Sequence, residues 1–341
     1  GKAEEIVAQA AERNADCLVF DCDLSPSQQR NWEKLSKLCV IDRQEVILDI
    51  FASRASTKEA SLQVELARLE YLLPRLTRAW THLSRQKGGV AGTRGEGEKQ
   101  IEVDRRILQS RIYQLKKDLV EVGKRRDIQR RSRKRNEMPT GAIVGYTNAG
   151  KSSLLNALTG AGAYVEDKLF ATLDPTTRKL ELPDKSCALL TDTVGFVRKL
   201  PHSLVEAFKS TLEEAALADF LVIVLDISSV YAEEHWLTTC SVLKELDAFD
   251  RRKIVVFNKC DLPYDRVKAA ALSALCPDKI MTSTLTGEGL DKLRDEMADI
   301  IRENLQSSLL SIPPGRHDLV SQAHSKGRVS SVEYSEDGSA M

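Results

Sequence analysis

No apolar run in this 341-residue chain approaches the roughly 20 residues that a membrane-spanning helix needs; the longest, such as Phe220 to Leu225, fall far short. No signal-peptide pattern opens it, so we expect a cytoplasmic protein with no membrane span. Paired cysteines are missing too. Cys17, Cys22, Cys39, Cys187, Cys240, Cys260 and Cys276 are scattered, odd in number and free of any Cys-x-x-Cys spacing, which excludes a disulfide framework and fits a reducing compartment. Net charge is absent as well, with 50 Lys+Arg against 50 Asp+Glu. The balance is uneven along the chain, because Arg105 to Arg135 holds 13 basic and 3 acidic residues. One segment is therefore suited to a polyanion while the remainder is acidic. The length suits two or three domains, and 42% hydrophobic residues suffice for their cores.

What is present centres on Gly145-Tyr146-Thr147-Asn148-Ala149-Gly150-Lys151-Ser152, with the apolar run Ala142-Ile143-Val144 before it and the helix-compatible Ser153 to Leu158 after it. A strand, a glycine loop and a helix in this order aim backbone N–H groups at a polyphosphate, with a helix N-terminus behind them. Lys151 is placed to reach the β- and γ-phosphates, and the Ser152 hydroxyl to ligate Mg²⁺, a hard cation that prefers oxygen. Beyond it, Arg178 to Leu182, Ala188 to Leu190, Leu221 to Leu225, Ile254 to Phe257 and Lys279 to Met281 read as strands alternating with helices, which predicts a doubly wound α/β domain. Asp192-Thr193-Val194-Gly195 closes one of these strands: Asp192 can hold Mg²⁺ through water, and the Gly195 N–H can bond a γ-phosphate. Asn258-Lys259-Cys260-Asp261 closes another, where the Asp261 carboxylate can accept both N1–H and N2–H of guanine, a donor pair that adenine lacks. Ser283-Thr284-Leu285 is expected to add backbone contacts to the base. Phe196 follows Gly195 where many GTPases carry the glutamine that orients the attacking water. Asn148 stands where potassium-activated GTPases hold K⁺, so K⁺ is an expected second cation.

The chain opens on a helical pattern with no strand before it, and residues upstream are expected. Strands are predicted over Ala15 to Phe20 and Leu38 to Ile41. Between them a helix starts at Ser25, with Pro26 in its first position and Gln28 completing a capping box. A short helix follows over Val46 to Ala52. Asp21, Asp23 and Asp42 at strand ends are read as caps or solvated loop residues in preference to metal ligands. From Ser56, expected to cap with Glu59, leucines at 62, 66, 69, 73 and 76 form a heptad seam, and Ile101, Leu108, Ile112, Leu115, Leu119 and Val122 form a second. Two such helices should pair as an antiparallel hairpin, kinked at Pro74. The stretch Gly88 to Glu98, with five glycines, forms its tip, and it is longer than a mere turn requires. Arg125 to Arg135 suits phosphate contacts without base specificity.

The phosphate loop, Asp192-x-x-Gly195 and Asn258-Lys259-x-Asp261 in this order resemble the translation-factor-like GTPases. Leu169 to Arg178 and Asp192 to Arg198 sharpen the likeness to the HflX family of ribosome-associated GTPases. So do Leu24-Ser-Pro26, Val40 to Arg43, Leu48 to Phe51, Tyr71 to Arg75 and Gly95-x-Gly-Glu98, outside the G domain. The resemblance implies an N-terminal α/β subdomain (1–55), a helical hairpin (56–136), a P-loop GTPase domain (137–305) and a small C-terminal subdomain (306–341). It also implies a monomer that hydrolyses GTP with Mg²⁺, cycles to GDP, and acts on the large ribosomal subunit, its rRNA and whole ribosomes, including the splitting of stalled ones. On the family pattern Phe170, Ala171, Thr172, Leu173 and Asp174 line the nucleotide, and Thr172 joins the Mg²⁺ shell; residue chemistry by itself leaves Thr172, Thr176 and Thr177 equally eligible. Lys151, Thr172 and Gly195 are then the catalytic set. The chain departs from the family pattern before Gly1, at Glu96 where proline is usual, and after Ile312, where a further strand is expected. A nucleotide-gated RNA-binding or ribosome-assembly module with little hydrolysis is the alternative. A tRNA-modification GTPase would need a second catalytic centre, of which the sequence gives no sign.

Overall fold

The structure, a computed structural model, describes residues 1–76, 94–135, 138–160, 175–198, 214–276, 278–303, 310–326, 329 and 331–335, with backbone alone for 94–100, 125–135, 317 and 324–326. Two compact units emerge, Gly1–Ala298 and Asp299–Met341. The first opens with α1 (Lys2–Glu12), β1 (Cys17–Phe20), α2 (Pro26–Ser36), β2 (Cys39–Asp42) and α3 (Arg43–Arg54). β1 and β2 pair in parallel, Cys17 opposite Cys39 and Phe20 opposite Asp42. The expected cap on α2 forms: the Ser25 hydroxyl accepts from the Gln28 N–H at 3.2 Å, and Gln28 accepts from the Ser25 N–H at 2.9 Å. α3 is longer than the expected Val46 to Ala52, because Asp42 caps it and accepts from the Glu45 N–H at 2.9 Å. The reading of Asp42 as a cap thus holds, although the residue is fully buried.

Next come α4 (Lys58–Leu72), a 3₁₀ turn (Leu73–Arg75) and α5 (Arg94–Arg135). The cap of α4 is Thr57 and not Ser56: the backbone stays extended through Thr57, whose hydroxyl accepts from the Ala60 N–H at 3.1 Å. Pro74 ends the α-helix and forces the tighter turn, since it has no N–H to offer and its ring crowds the preceding turn. α4 buries more than its leucines. Ala60, Val64, Ala67 and Tyr71 pack against Ile47, Leu48 and Phe51 of α3. Along α5 all six positions of the predicted seam, Ile101, Leu108, Ile112, Leu115, Leu119 and Val122, are partly or fully buried, Leu115 completely, and Asp104, Asp118 and Gly123 are partly covered beside them. α4 and α5 are further joined by a bidentate Arg111–Glu65 pair at 2.8 and 2.9 Å and by Lys116–Glu70 at 2.8 Å. Of the predicted tip, 88–93 lies outside the described residues, and Arg94 to Glu98 is helical. Gly95 and Gly97 cost a helix about 1 kcal/mol each against alanine, which the 42-residue α5 absorbs.

The nucleotide-type domain contributes β3 (Thr140–Gly145), α6 (Lys151–Thr159), β4 (Thr176–Glu181), β5 (Cys187–Asp192), β6 (Phe220–Asp226), α7 (Ala232–Glu245), β7 (Arg252–Asn258), α8 (Arg266–Leu275), β8 (Ile280–Met281) and α9 (Leu290–Glu303). The sheet order is β4-β5-β3-β6-β7-β8; β4 runs antiparallel to β5 and the other pairs are parallel. Parallel strands covered on both faces must be apolar throughout, and Phe220 to Leu225 of β6 are all buried. Successive strands are added on opposite sides of β3, so the crevice at its carboxyl end is the place where open α/β sheets bind ligands. In the second unit α10 (His317–Lys326) begins beside a bidentate Arg316–Asp318 pair at 2.8 Å.

Candidate nucleotide site

β3 ends at Gly145, whose φ of +147° and neighbours admit glycine alone: a Cβ there would fall 2.2 Å from the Val224 carbonyl oxygen. The chain then turns through Asn148 (φ 59°) and Gly150 (φ 94°) into α6. Lys151 opens that helix and is almost completely buried. Its ammonium donates to the Tyr146 carbonyl at 2.9 Å, and burial pushes its pKa down to about 8 against the opposing pull of Asp192. Ser152 donates through its hydroxyl to Asp192 Oδ2 at 2.6 Å. Two hard oxygen donors thus meet where the phosphate loop enters its helix, a donor set that fits Mg²⁺. Thr193 secures the strand end by donating from its hydroxyl to the Ile143 carbonyl at 2.8 Å.

The segment after β5 lies across the phosphate loop. Phe196 N–H donates to the Gly145 carbonyl at 3.0 Å, and Thr147 N–H donates to the Phe196 carbonyl at 2.9 Å. A Cβ on Gly195 would sit 2.7 Å from Thr147 Cα and 3.0 Å from Lys151 Nζ, so this close approach also requires glycine. The Phe196 ring points into the core beside Ala142, Val144 and Leu221. At the sheet's other side Asn258 Nδ2 donates to the Ala149 carbonyl at 3.0 Å, and Lys259 Nζ donates to the Asn148 carbonyl at 3.0 Å while pairing with Asp226 at 2.8 Å. These two residues brace the phosphate loop, and the Asp261 carboxylate is left exposed beside it. The Cys260 N–H donates to the Thr282 carbonyl at 3.2 Å, and Ser283 folds the next loop by accepting from the Thr286 N–H at 3.1 Å. Leu285 is exposed. The structure therefore links the phosphate loop directly to Asp192, to the Gly195-Phe196 step and to Asn258 and Lys259, while Ser283 to Leu285 follow Thr282, which the Cys260 N–H contacts. Phe170, Ala171, Thr172, Leu173 and Asp174 lie outside the described residues.

Four family profiles match the chain: "GTP-binding GTPase N-terminal" over 1–52, "GTP-binding GTPase Middle Region" over 54–133, "50S ribosome-binding GTPase" over 140–259 and "HflX C-terminal domain" over 270–341. The GTPase HflX of Akkermansia muciniphila is 52% identical over 352 residues, covering 100% of this chain and 80% of its own length. The chain belongs to the HflX family of GTPases. The Escherichia coli HflX is 43% identical, over 99% of this chain and 80% of its own. Among solved structures, a GTP-binding protein from Sulfolobus solfataricus in complex with GDP shares 27% identity at a TM-score of 0.51, covering 88% of this chain and 85% of that one. A second structure, a complex of SsGBP with GDP, shares 29% identity at a TM-score of 0.52, covering 89% of this chain and 85% of that one. The family identifies the enzyme as a guanine-nucleotide-binding P-loop GTP hydrolase.

Several contacts around this HflX site belong to no motif. Val194 and Val197, within and just after Asp192-x-x-Gly195, are buried in the same cluster as Phe51 and Tyr71 of the N-terminal region. The Tyr146 ring stacks on His235 of α7, centroids 3.8 Å apart and planes 13° from parallel. Burial lowers the His235 pKa, against the pull of Asp226 and Glu234. Asp226, the partner of Lys259, ends β6 and carries no motif. The one available signal was the apolar character of Val194 and Val197, which a solvent-facing loop would not need. Among the described residues no group of three or more His, Cys, Asp or Glu is placed to hold a metal.

Proposed function

We propose that this HflX GTPase acts in the cytoplasm, as a monomer, on the large ribosomal subunit, and that it separates the subunits of stalled ribosomes. The profile description "50S ribosome-binding GTPase" over 140–259 and the basic run Arg125 to Arg135 support the partner. In this reading Gly145 to Ser152 cradle the phosphates and Lys151 meets the β/γ oxygens. Ser152 and Thr172 ligate Mg²⁺, with Asp192 behind them, and the Gly195 N–H meets the γ-phosphate. Phe170 to Asp174 line the nucleotide, Asp261 reads guanine, and Ser283 to Leu285 close over the base. Asn148 holds K⁺ beside the phosphates, so turnover should be faster in K⁺ than in Na⁺; equal rates would remove the second cation.

The observation that carries the proposal is the shared core of Val194, Val197, Phe51 and Tyr71. Nucleotide-dependent movement of the Asp192-x-x-Gly195 segment must disturb this cluster, and α4, the first helix of the stalk, is built into it. The stalk is long: 42 residues of helix span about 60 Å. Its glycine-rich tip, with Arg94 able to stack on or pair with exposed RNA, would then occupy space that joined subunits require. Deleting Gly89 to Gly97 should leave GTP binding intact and abolish splitting in a light-scattering assay of whole ribosomes. Splitting at the normal rate by the deletion variant would refute the stalk's role. GTP binding without turnover on ribosomes would favour the RNA-binding module instead.

A further inference from the structure

Arg198, just past the Asp192-x-x-Gly195 segment, is gripped from three elements. Its backbone N–H donates to the Tyr146 hydroxyl at 3.3 Å, and that ring is itself fixed by stacking on His235. Its guanidinium pairs with Glu234 of α7 at 2.9 Å. Its carbonyl accepts from Arg43 Nη2 at 3.1 Å, and Arg43, the first residue of α3, is anchored by an ion pair to Asp21. Phosphate loop, α7 and N-terminal region therefore meet on one residue.

Upstream of this grip, the Gly195-Phe196 step occupies the phosphate loop. Thr147 N–H is engaged by the Phe196 carbonyl, and Lys151 Nζ is turned onto the Tyr146 carbonyl with Gly195 packed against it. An ammonium in that position has to leave the loop's own carbonyl before it can serve a β/γ-phosphate pair, and Gly195 has to part from it. Either nucleotide brings a β-phosphate for Lys151, whereas only a triphosphate brings the γ-phosphate for which Gly195 has to part from the loop.

On the nucleotide site proposed above, we infer that Arg198 is a positioning residue, and that Arg43 and Glu234 act through it to hold the Gly195-Phe196 step against the phosphate loop and so favour GDP over GTP. The grip is a contact between domains, which makes the nucleotide preference a property of the N-terminal region as well as of the G domain. A ligand can shift such an equilibrium only by its differential affinity for the two arrangements, so weakening the grip should raise affinity for the triphosphate more than for the diphosphate.

The test is equilibrium binding of fluorescent GDP and of a non-hydrolysable fluorescent GTP analogue to the whole chain. Arg43→Ala removes the charged hydrogen bond to the Arg198 carbonyl, together with the ion pair to Asp21, while keeping a good helix former at the start of α3. It should improve the ratio of GTP-analogue to GDP affinity by about three- to tenfold, with GDP affinity within about twofold of wild type. Glu234→Gln removes an exposed ion pair and should improve the ratio by about two- to threefold, an effect that shrinks at high salt. Glu233→Gln, next to it on α7, should change nothing. An unchanged ratio in both Arg43→Ala and Glu234→Gln overturns the inference, as does an equal loss of both nucleotides, which a merely structural role would produce. Failure of the wild-type chain to bind either nucleotide would instead overturn the site assignment.

Discussion

Lys151 combines burial with charge, and that combination has a measurable consequence. Its pKa is pushed from 10.5 down to about 8 by desolvation, with Asp192 pulling the other way. Between these values the unfolded chain holds a proton that the folded one has released, so stability rises as pH climbs from about 8 towards 10.5. Below pH 8 both states hold the proton and the desolvation penalty is present in full. Chemical denaturation of nucleotide-free wild type and Lys151→Met should show wild type gaining on the variant between pH 8 and 10; parallel pH profiles would contradict the buried ammonium. Asp261 makes the complementary case, because its exposed carboxylate takes no part in bracing the loop. Asp261→Asn should lose GTP affinity on the order of 100-fold and gain affinity for xanthine nucleotide, since the amide N–H would face the guanine N2–H donor but can donate to the xanthine O2. ATP binding as tightly as GTP in a nucleotide titration would show that the base contact is elsewhere.

Arg75 ties the stalk to the N-terminal sheet. It donates to Gln29 at 3.0 Å and to the Tyr71 and Leu24 carbonyls at 3.1 and 2.6 Å, lies 3.4 Å from Asp42 Oδ2, and covers the Tyr71 ring at 3.8 Å. Tyr71 in turn donates to Asp42 at 3.1 Å and Glu45 at 3.0 Å, and burial beside these carboxylates raises its pKa. Removing one partner of a buried charge network leaves the other unpaired, so Arg75→Leu should destabilise the chain by about 3–5 kcal/mol in urea titration, and a loss under 1 kcal/mol would mean the network is dispensable. The Ser25 cap, the seam of α5 and the interruption at Pro74 were legible beforehand because each rests on local chemistry: a hydroxyl within reach of an N–H, a period, a missing N–H. The phosphate loop, Asp192-x-x-Gly195 and Asn258-Lys259-x-Asp261 were legible because their spacing is tied to strand ends. The network that Arg75 and Tyr71 build on Leu24, Gln29, Asp42 and Glu45 was not, since its partners are 26 to 51 residues apart and no period relates them. The cap of α4 was misplaced by one residue because Ser56 and Thr57 are both able to cap, and the extended backbone at Thr57 decides between them.

Across the whole chain, a buried core joins the Asp192-x-x-Gly195 segment to α3 and α4, and α4 leads into the stalk. The Phe196 ring is buried in the core beside β3 and β6 and so cannot orient a water at a γ-phosphate, from which we expect slow intrinsic hydrolysis and acceleration by a partner that completes the site. The deciding measurement is single-turnover GTP hydrolysis by the whole chain, with and without purified large ribosomal subunits. We expect a free rate on the order of 10⁻³ per second or slower, rising by about a hundredfold or more on the large subunit, and no turnover by Lys151→Ala in either condition. A wild-type rate that stays the same with saturating large subunits, in a protein that binds GTP, would contradict this expectation.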